Sequence, residues 1–399
     1  MRILILATDI YTRGGIARHT YTFASALADL LGPENVHVLA LLGYGDASDL
    51  HPRFRVLGPV TDRLTAAAKV QFAMKALALA RHKYDLIVCN HLSLGLVGAA
   101  IRFVHRTPFW VVCHGVEAWR PIPMLQLTAL KEAELALPIS RFTAEKLQEV
   151  NGLPPSKMRV LYNAVPAHFA SLLLSLDGTA NAVAPAGGER ILLSVGRLNK
   201  ADAFKGFDTV IRALPEILTL APNARYVIVG EGDDRPNLER LAKDVGVADR
   251  VSFAGEVCDV ELAALYRRCE VFVLPSRALG ADGAASGEGF GRVFVEAALA
   301  GKPVVGSRAG GAAEAVLDGK TGFLVNPLSV DEVAHAVLTL LSDAELAASM
   351  GAAGRRWALE NFTQEALSRP LDRLLHLTGH LQAPCGTSVI STKRHARSG

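Results

Sequence analysis

Two glutamates that bracket a glycine-rich segment are the residues best placed to do chemistry. The segment reads S-G-E-G-F-G-R-V-F-V-E-A from position 286, so that seven residues separate Glu288 from Glu296. Its glycines predict a loop that becomes a helix near Gly291, and the amino end of such a helix attracts anions. Glu288 precedes this helix, whereas Glu296 lies more than one turn inside it. The two carboxylates are therefore expected to contact different parts of one extended ligand, and not to act as a hydrolytic acid and base.

Three further polar side chains follow predicted strands. His114 ends the apolar run 109–113 and precedes a glycine, and Arg197 and Lys205 follow the run 190–195. A guanidinium and an ammonium group both suit a bound phosphate. Taken singly, a histidine at a strand end is more often structural, and a lone basic residue more often forms a surface ion pair.

The glycine pattern disfavours a nicotinamide dinucleotide site, which would need G-x-G-x-x-G directly after a first strand. After Ala7 the chain carries only the pair Gly14 and Gly15, at a predicted helix start. The G-E-G run that begins at Gly230 lacks the third glycine, because Arg235 stands there. Gly14 and Gly15 instead let backbone amides approach an anionic ligand closely.

Short apolar runs that alternate with amphipathic stretches predict the elements that carry these residues. The alternation occurs twice and indicates a parallel sheet covered by helices in each half of the chain. The sequence therefore predicts an α/β fold of two facing Rossmann-like domains, with the ligand in the cleft at the carboxyl ends of the strands. The predicted strands are 2–7, 36–41, 85–89, 109–113 and 159–161, then 190–195, 225–229, 251–253, 271–274, 303–305 and 322–325.

Composition narrows the class of protein further. The 399 residues are 50% hydrophobic and carry a formal net charge of +3, which is too small to indicate nucleic acid. The longest apolar runs are too short to span a membrane, and the first residues lack a signal peptide pattern, so a cytoplasmic protein is expected. Five scattered cysteines without a C-x-x-C pair indicate neither a disulfide framework nor a zinc site.

Basic residues cluster in and after two predicted helices of the first half. Solvated helix faces are one interpretation. The other is attraction to an anionic membrane surface or an anionic lipid-linked acceptor, and the sequence leaves both open. The residues are Arg63, Lys69, Lys75, Arg81, His82, Lys83, Arg102, His105 and Arg106.

Together the motifs resemble the retaining GT-B glycosyltransferases of glycosyltransferase family four. Glu288 and Glu296 match the E-x7-E motif of that family in its E-G-F-G form. Other elements follow in the family's order: the Gly14–Gly15 loop, C-H-G at 113–115, V-G-R-L at 195–198, K-G at 205–206, V-G-E-G at 229–232 and P-S at 275–276. The resemblance extends through most of the chain.

The resemblance implies a role for each candidate residue. Glu296 would hold the ribose hydroxyls of a donor nucleotide, and Glu288 would hydrogen-bond the transferred sugar. Arg197 and Lys205 would meet the diphosphate, with Lys205 preferred over Lys200 because Gly206 and a helix follow it. The remaining implied donor-site residues are Gly14, Gly15, Gly230, Phe253, Gly289, Phe290 and Gly291, with the amides of Phe290, Gly291 and Arg292 binding phosphate or sugar oxygens.

The resemblance also implies positions for two residues of the first half. His114 would touch the donor sugar near its anomeric carbon, and Asn163 would order the cleft. The implied domains are an acceptor-binding domain 1–166, a linker 167–189, a nucleotide-sugar-binding domain 190–365, a helix 366–382 that packs back on the first domain and a disordered tail 383–399. The stretch 330–381 is expected to be helical, with a kink at Pro370.

The implied function is a retaining hexosyltransferase that moves a hexose from a UDP- or GDP-sugar to an acceptor hydroxyl in polysaccharide or glycolipid assembly. Because no motif carboxylate is an obvious nucleophile, same-face substitution is expected, with the leaving phosphate accepting the proton. No cofactor beyond the nucleotide-sugar co-substrate is expected. The lack of a convincing D-x-D motif predicts that no metal is needed.

Other interpretations stay open at this stage. A sugar-nucleotide epimerase also uses two Rossmann-like domains, and a non-catalytic nucleotide-sugar-binding protein would keep the same fold. The acceptor is a sugar or a lipid-linked molecule, and peripheral association with the inner face of a membrane is compatible with the basic helices. The glycine-containing loop 277–287 either closes over a substrate or is a tolerated surface insertion.

Overall fold

Two six-stranded parallel sheets form the protein. The structure is a computed structural model that describes residues 1–12, 14–43, 52–175, 188–278 and 286–380. The strands run β3-β2-β1-β4-β5-β6 in the first sheet and β12-β11-β10-β7-β8-β9 in the second. The predicted α/β fold of two facing Rossmann-like domains is therefore confirmed.

The first sheet lies between helices on both faces. Its first strand, β1, is buried at every position, which explains why its sequence I-L-I-L-A does not alternate. The strands are β1 Ile3–Ala7, β2 Val36–Ala40, β3 Arg55–Val56, β4 Leu86–Cys89, β5 Phe109–Cys113 and β6 Leu135–Pro138. The helices are α1 Gly15–Leu31, α2 Ala66–Ala80, α3 Gly95–His105, α4 Val116–Trp119, α5 Met124–Glu132, α6 Arg141–Asn151 and α7 Ala167–Leu174.

The predicted strand 159–161 is wrong. The backbone N–H groups of Arg159 and Leu161 donate to Ala136 and Pro138 of β6, but the only bridge pair there joins Ala136 to Met158. The segment thus covers the edge of β6 without continuing the sheet. The true edge strand, β6, was missed because its run L-A-L-P is short and ends in proline.

The second sheet follows the predicted strands to within one or two residues at most ends. The strands are β7 Arg190–Val195, β8 Ala224–Val229, β9 Val251–Gly255, β10 Val271–Val273, β11 Val304–Ser307 and β12 Gly322–Val325. The helices are α8 Phe207–Leu220, α9 Arg235–Asp244, α10 Asp259–Arg268, α11 Arg292–Leu299, α12 Ala312–Ala315, α13 Val330–Ser342, α14 Ala344–Asn361 and α15 Gln364–Leu377. A 3₁₀ segment, Lys200–Lys205, connects β7 to α8.

The stretch 330–381, predicted to be helical with a kink at Pro370, contains three separate helices that are divided at capping residues. The side chains of Asp343 and Thr363 accept hydrogen bonds from backbone amides three residues on, and each starts a new helix. Helices α13 and α14 are bent by 101° at the first break, and α15 continues through Pro370. Gln364 donates to Asp29 of α1 at 2.7 Å, which ties α15 to the first sheet's helices.

The predicted domain boundaries stay predictions. The segment 167–189, expected as a linker, begins with helix α7, and most of its remainder lies outside the described residues. The predicted tail 383–399 and most of the loop 277–287 also lie outside them.

Candidate active site

A cavity of about 650 Å³ lies between the two domains at the carboxyl ends of their strands. Eleven of the twelve predicted site residues line it: Gly14, Gly15, His114, Arg197, Lys205, Gly230, Glu288, Gly289, Phe290, Gly291 and Glu296. The structure thus brings together in one cleft residues that lie up to 282 positions apart in the sequence.

Phe253 is the predicted site residue that does not line the cleft. Its ring lies beneath the guanidinium of Arg235, with 5.4 Å from Cζ to the ring centroid. Glu256 and Val257 line the cleft in its place. The side chains of a strand point alternately to its two faces, and the ring of Phe253 packs against Arg235. The predicted role of Phe253 in donor binding stays a prediction.

Two helices point uncapped first turns into the cleft. Gly14 precedes α1 and Gly291 precedes α11, and neither offers a capping side chain. Gly291 has φ of 77°, and a Cβ atom there would lie 2.4 Å from Cδ2 of Phe294. Only glycine fits this position, and the first-turn amides of both helices are available to an anion.

Lys205 and Glu288 form an ion pair in the cleft, in which Nζ donates to Oε1. The two side chains are only 12% and 15% exposed. Lys205 ends the 3₁₀ segment before Gly206, where φ is 79° and a Cβ atom would meet the carbonyl oxygen of Pro275 at 2.3 Å. Lys205 lines the cleft and Lys200 does not, so that Lys205 is the lysine that can contact a ligand there.

Arg197 lies at a more open part of the cleft, with its side chain 69% exposed. Its Nη2 donates to Oδ1 of Asp202 at 3.0 Å. Asp202 is buried and also accepts from Asn199. The side chain of Arg197 is therefore tethered at one end of the cleft while remaining accessible to a ligand.

Glu296 is buried on the second turn of α11 and has two protein partners. Oε1 accepts from Nε of Arg292 at 2.9 Å, and Oε2 accepts from the hydroxyl of Tyr266 at 2.8 Å. Burial raises the pKa of Tyr266, and the nearby carboxylate raises it further, so that the phenol stays a donor. The sequence predicted a role for the backbone amide of Arg292, but it did not predict that the side chains of Arg292 and Tyr266 would contact Glu296.

Two buried histidines of the first domain lie beside each other, and one of them, His114, lines the cleft. Nε2 of His114 is 2.9 Å from the carbonyl oxygen of Asn90, which makes this nitrogen the proton-bearing one and Nδ1 an acceptor. Burial lowers the pKa of His114, while the Glu117 carboxylate opposes the shift. His19, which the sequence analysis missed, packs edge-on at 4.8 Å between ring centroids, and burial lowers its pKa well below the usual value.

Contacts across the cleft hold the two domains together. The carboxylate of Glu314 on α12 accepts from the backbone amides of Arg141 and Phe142, each at 2.8 Å, at the start of α6. Arg18 of α1 pairs with Asp259 of α10. Sequence reasoning missed all of these residues, because the pattern of a single element does not indicate which helix of the other domain it meets.

Within the described ranges, no group of three or more His, Cys, Asp or Glu side chains is arranged to hold a metal ion. No single helix there is long and apolar enough to cross a membrane, although the bent pair α13 and α14 meets the same length and composition criteria. The expectation of metal independence stays a prediction.

Two facing Rossmann-like domains with a cleft between them are the architecture of the GT-B class. Residues 13–169 match the family described as Glycosyltransferase Family 4, and residues 179–357 match Glycosyl transferases group 1. A GDP-mannose-dependent alpha-(1-6)-phosphatidylinositol monomannoside mannosyltransferase of Mycolicibacterium smegmatis is 33% identical over 387 residues, which cover 93% of this chain and 98% of that protein. The chain belongs to glycosyltransferase family 4.

Solved structures agree on the fold. The structure of HepE from Anabaena in complex with UDP superposes with a TM-score of 0.74 at 24% identity, covering 94% of this chain and all of that one. Sucrose-phosphate synthase from Thermosynechococcus elongatus superposes with a TM-score of 0.75 at 22% identity, covering 95% of this chain and all of that one. At these identities the likeness concerns the fold alone.

Proposed function

We propose that this protein transfers mannose from GDP-mannose, with retention of anomeric configuration, to a hydroxyl group of a phosphatidylinositol-derived glycolipid. The observation that carries the proposal is the convergence of Lys205, Glu288 and Glu296 with an uncapped helix N-terminus in the interdomain cleft. The donor and acceptor are suggested by the full-length relative, which is named for both.

The donor would lie along the second-domain wall. The proposed role of Glu296 is to accept hydrogen bonds from the ribose, while the first-turn amides of α11, Lys205 and Arg197 hold the diphosphate. Glu288, released from Lys205, would accept from hydroxyls of the sugar. All of these residues line the same cleft, where Lys205 and Glu288 form an ion pair.

The proposed reaction is a same-face substitution at the anomeric carbon. The acceptor oxygen forms a bond to this carbon, the bond to the β-phosphate oxygen breaks, and the acceptor proton passes to that leaving oxygen. Lys205, Arg197 and the N-terminus of α11 would stabilise the developing charge. His114 is held neutral by burial, and it is therefore assigned to orient a sugar hydroxyl and not to carry charge.

A glycolipid acceptor fits a surface of the first domain, here named the α2-α3-α5 face. Helix α3 packs between α2 and α5, and His105 at its end is 3.1 Å from the carbonyl oxygen of Leu77 in α2. The face exposes large hydrophobic side chains, with Phe103 81% exposed and Met124 83% exposed. Its exposed hydrophobic residues are Leu64, Val70, Met74, Leu96, Phe103, Val104, Met124 and Leu125.

The charge of this face favours an anionic lipid surface. Helices α2 and α3 contain Lys69, Lys75 and Arg102 and no acidic residue. Helix α5 adds Lys131 and Glu132, so the face keeps an excess of cations. Apolar side chains beside an excess of cations are the arrangement that binds the headgroup region of anionic membranes. We therefore assign the protein to the inner, cytoplasmic face of a membrane, with the α2-α3-α5 face toward the lipid.

The function is tested by incubating the protein with labelled GDP-mannose, UDP-glucose, UDP-galactose or UDP-N-acetylglucosamine and a phosphatidylinositol mannoside acceptor. Transfer of label from GDP-mannose is expected, with an α-linked product from this α-linked donor by NMR. Lys205→Ala should lower transfer at least about 100-fold, whereas Lys200→Ala is the matched control. Donor binding without transfer would favour a non-catalytic protein, and conversion of the donor sugar without transfer would favour an epimerase.

Membrane association is tested by co-sedimentation with vesicles of phosphatidylcholine alone or mixed with phosphatidylinositol. Binding is expected only to the anionic vesicles and should fall as salt rises. The double variant Phe103→Ser/Met124→Ser should bind less, while the control Leu220→Ser, also on an exposed site but in the second domain, should bind normally. Equal binding of both variants would contradict the assignment.

A further inference from the structure

Arg277 lies between the two segments that carry the ion pair of Lys205 and Glu288. One is the 3₁₀ segment Lys200–Lys205, and the other is the loop that leads into Glu288. Arg277 follows strand β10, its side chain is 23% exposed, and it has no part in the proposed reaction. A residue that contacts both segments can determine where the two charges of the cleft meet.

Two hydrogen bonds join Arg277 to the end of the 3₁₀ segment. Its backbone N–H donates to the carbonyl oxygen of Phe204 at 2.6 Å, and Nη1 donates to the carbonyl oxygen of Ala203 at 3.1 Å. Ala203 and Phe204 directly precede Lys205 in the chain. These bonds therefore fix the backbone from which the side chain of Lys205 extends into the cleft.

The guanidinium of Arg277 is also bonded to the start of helix α8, on the other side of Lys205. Nη2 donates to the two carboxylate oxygens of Asp208 at 2.9 and 2.8 Å, and to the hydroxyl of Thr209 at 2.8 Å. Hydrogen bonds between ionised partners are stronger than those between neutral ones. The side chain of Arg277 thus bridges Ala203 and Asp208, which lie before and after Lys205.

The backbone of Arg277 contacts the loop ahead of Glu288. A Cβ atom on Gly287 would lie 2.8 Å from the carbonyl oxygen of Arg277 and 3.1 Å from Cα of Ala278, so that this approach requires a glycine. Glu288 is the next residue in the chain. The residue that fixes the segment of Lys205 therefore also limits where Glu288 can lie.

We infer that Arg277 is a positioning residue that holds Lys205 in the cleft opposite Glu288. Arg277 does not line the cleft, so it acts on a ligand there only through these two side chains. The inference rests on the proposed function in one respect, because it takes the Lys205 ammonium as the group that meets the diphosphate. If Arg277 served stability alone, its removal would destabilise the domain without moving Lys205.

The test compares two variants of Arg277 with a matched control. Arg277→Met removes the guanidinium, and Arg277→Lys keeps a charge for Asp208 but not the branched donor. The control is Arg225→Met, near the amino end of β8 and away from the cleft. Arg225 is 28% exposed, pairs with Glu189 and donates to the carbonyl oxygen of Asp249, so that its loss should cost a similar amount of stability. Thermal unfolding measures that stability in all three variants.

The position of Lys205 is measured by acetylating the free protein with acetic anhydride and following each lysine by mass spectrometry. Lys205 should react slowly in the wild type, because it is 12% exposed and bound to Glu288, and the exposed Lys200 is the internal reference. Arg277→Met should raise the rate of Lys205 relative to Lys200 at least about threefold, and Arg225→Met should not change it. An unchanged rate in Arg277→Met would overturn the inference, whether or not the protein is a transferase.

The consequence for function is measured as kcat/KM with GDP-mannose and a phosphatidylinositol mannoside acceptor. Arg277→Met should lower kcat/KM at least about tenfold, and Arg225→Met should leave it unchanged. In a Lys205→Ala background, Arg277→Met should lower it less than about threefold, because the side chain that Arg277 positions is already absent. A full tenfold loss in that background would overturn the inference.

Two further outcomes are distinguished by the same measurements. If Arg277→Met does not fold, Arg277→Lys takes its place in both comparisons, with the same expected directions. If the wild type transfers no sugar while acetylation of Lys205 rises in the Arg277 variant, the proposed function fails and the positioning of Lys205 by Arg277 stands.

Discussion

Glu314 joins the two domains through two hydrogen bonds to the start of α6. Its carboxylate accepts from the backbone amides of Arg141 and Phe142, the first two residues of α6. The third amide of this helix, that of Thr143, already has its acceptor in Ser140 of the same domain. The start of α6 is therefore fully capped only when the second domain supplies Glu314.

Replacing Glu314 with alanine should shift the protein toward an open arrangement. Each hydrogen bond from an amide to this partly exposed carboxylate contributes about 1 kcal/mol net, because water replaces it on opening. Two such bonds give about 2 kcal/mol, or about a 30-fold change in the ratio of closed to open molecules. Glu314→Gln keeps one acceptor oxygen and should have a smaller effect.

The shift is measured by small-angle X-ray scattering of the free protein and by the Kd of the nucleotide. Glu314→Ala should have a larger radius of gyration and a weaker nucleotide affinity than wild type, and nucleotide should compact it. Glu360→Ala removes an exposed carboxylate from α14 of the same domain and should behave as wild type. If Glu314→Ala and wild type have the same radius and affinity, the two hydrogen bonds do not control closure.

Three other predictions concern the helix start, pH and metal. Gly291→Ala should lower the free energy of unfolding by about 2–3 kcal/mol, since it places a Cβ atom on a left-handed backbone and against Phe294. The control Gly152→Ala also places a Cβ atom on a left-handed backbone, but into open space, and should lower it by only about 1 kcal/mol in the same urea titration. Because burial lowers the pKa of His19 and His114, the unfolded chain binds more protons than the folded protein below pH about 6.5. The free energy of unfolding should therefore be retained above that pH and fall as the pH is lowered further. His19→Gln should reduce the fall, and an unchanged profile would contradict the neutral buried imidazole. Dialysis against EDTA should leave transfer unchanged, and activity restored only by Mn²⁺ or Mg²⁺ would refute the predicted metal independence.

Much of the fold could be predicted because buried parallel strands have a strong signature. Runs such as 3–7 and 86–89 are apolar at every position, since helices cover both faces of the sheet. The edge strand β6 of the first sheet was harder to predict. Strand β6 has only four residues, of which the last is a proline, while 159–161 has two apolar residues after Arg159 and donates two backbone hydrogen bonds to β6 without forming a strand.

The glycine-rich helix start could also be predicted, because local steric limits decide it. Gly291 must be glycine for its positive φ, and Glu296 follows at a fixed helical distance. The partners of Glu296 could be predicted only in part. Arg292 is four residues away on the same helix, but Tyr266 lies on α10, and only tertiary packing brings its hydroxyl within 2.8 Å.

The charged side chains of the cleft are paired with one another, which determines how a bound ligand would affect them. Lys205 pairs with Glu288, Arg197 with Asp202 and Arg292 with Glu296, so that each of these three cations has a carboxylate partner. In the proposed function a diphosphate would take the cations, and the carboxylates would then be left without their partners in a partly buried site, which is unfavourable. Hydroxyl groups of the ribose and the sugar would satisfy those carboxylates. The diphosphate would replace the carboxylate partners of the cations, and the hydroxyl groups would replace the cation partners of the carboxylates. Binding of the diphosphate and binding of the sugar hydroxyls are therefore expected to be coupled.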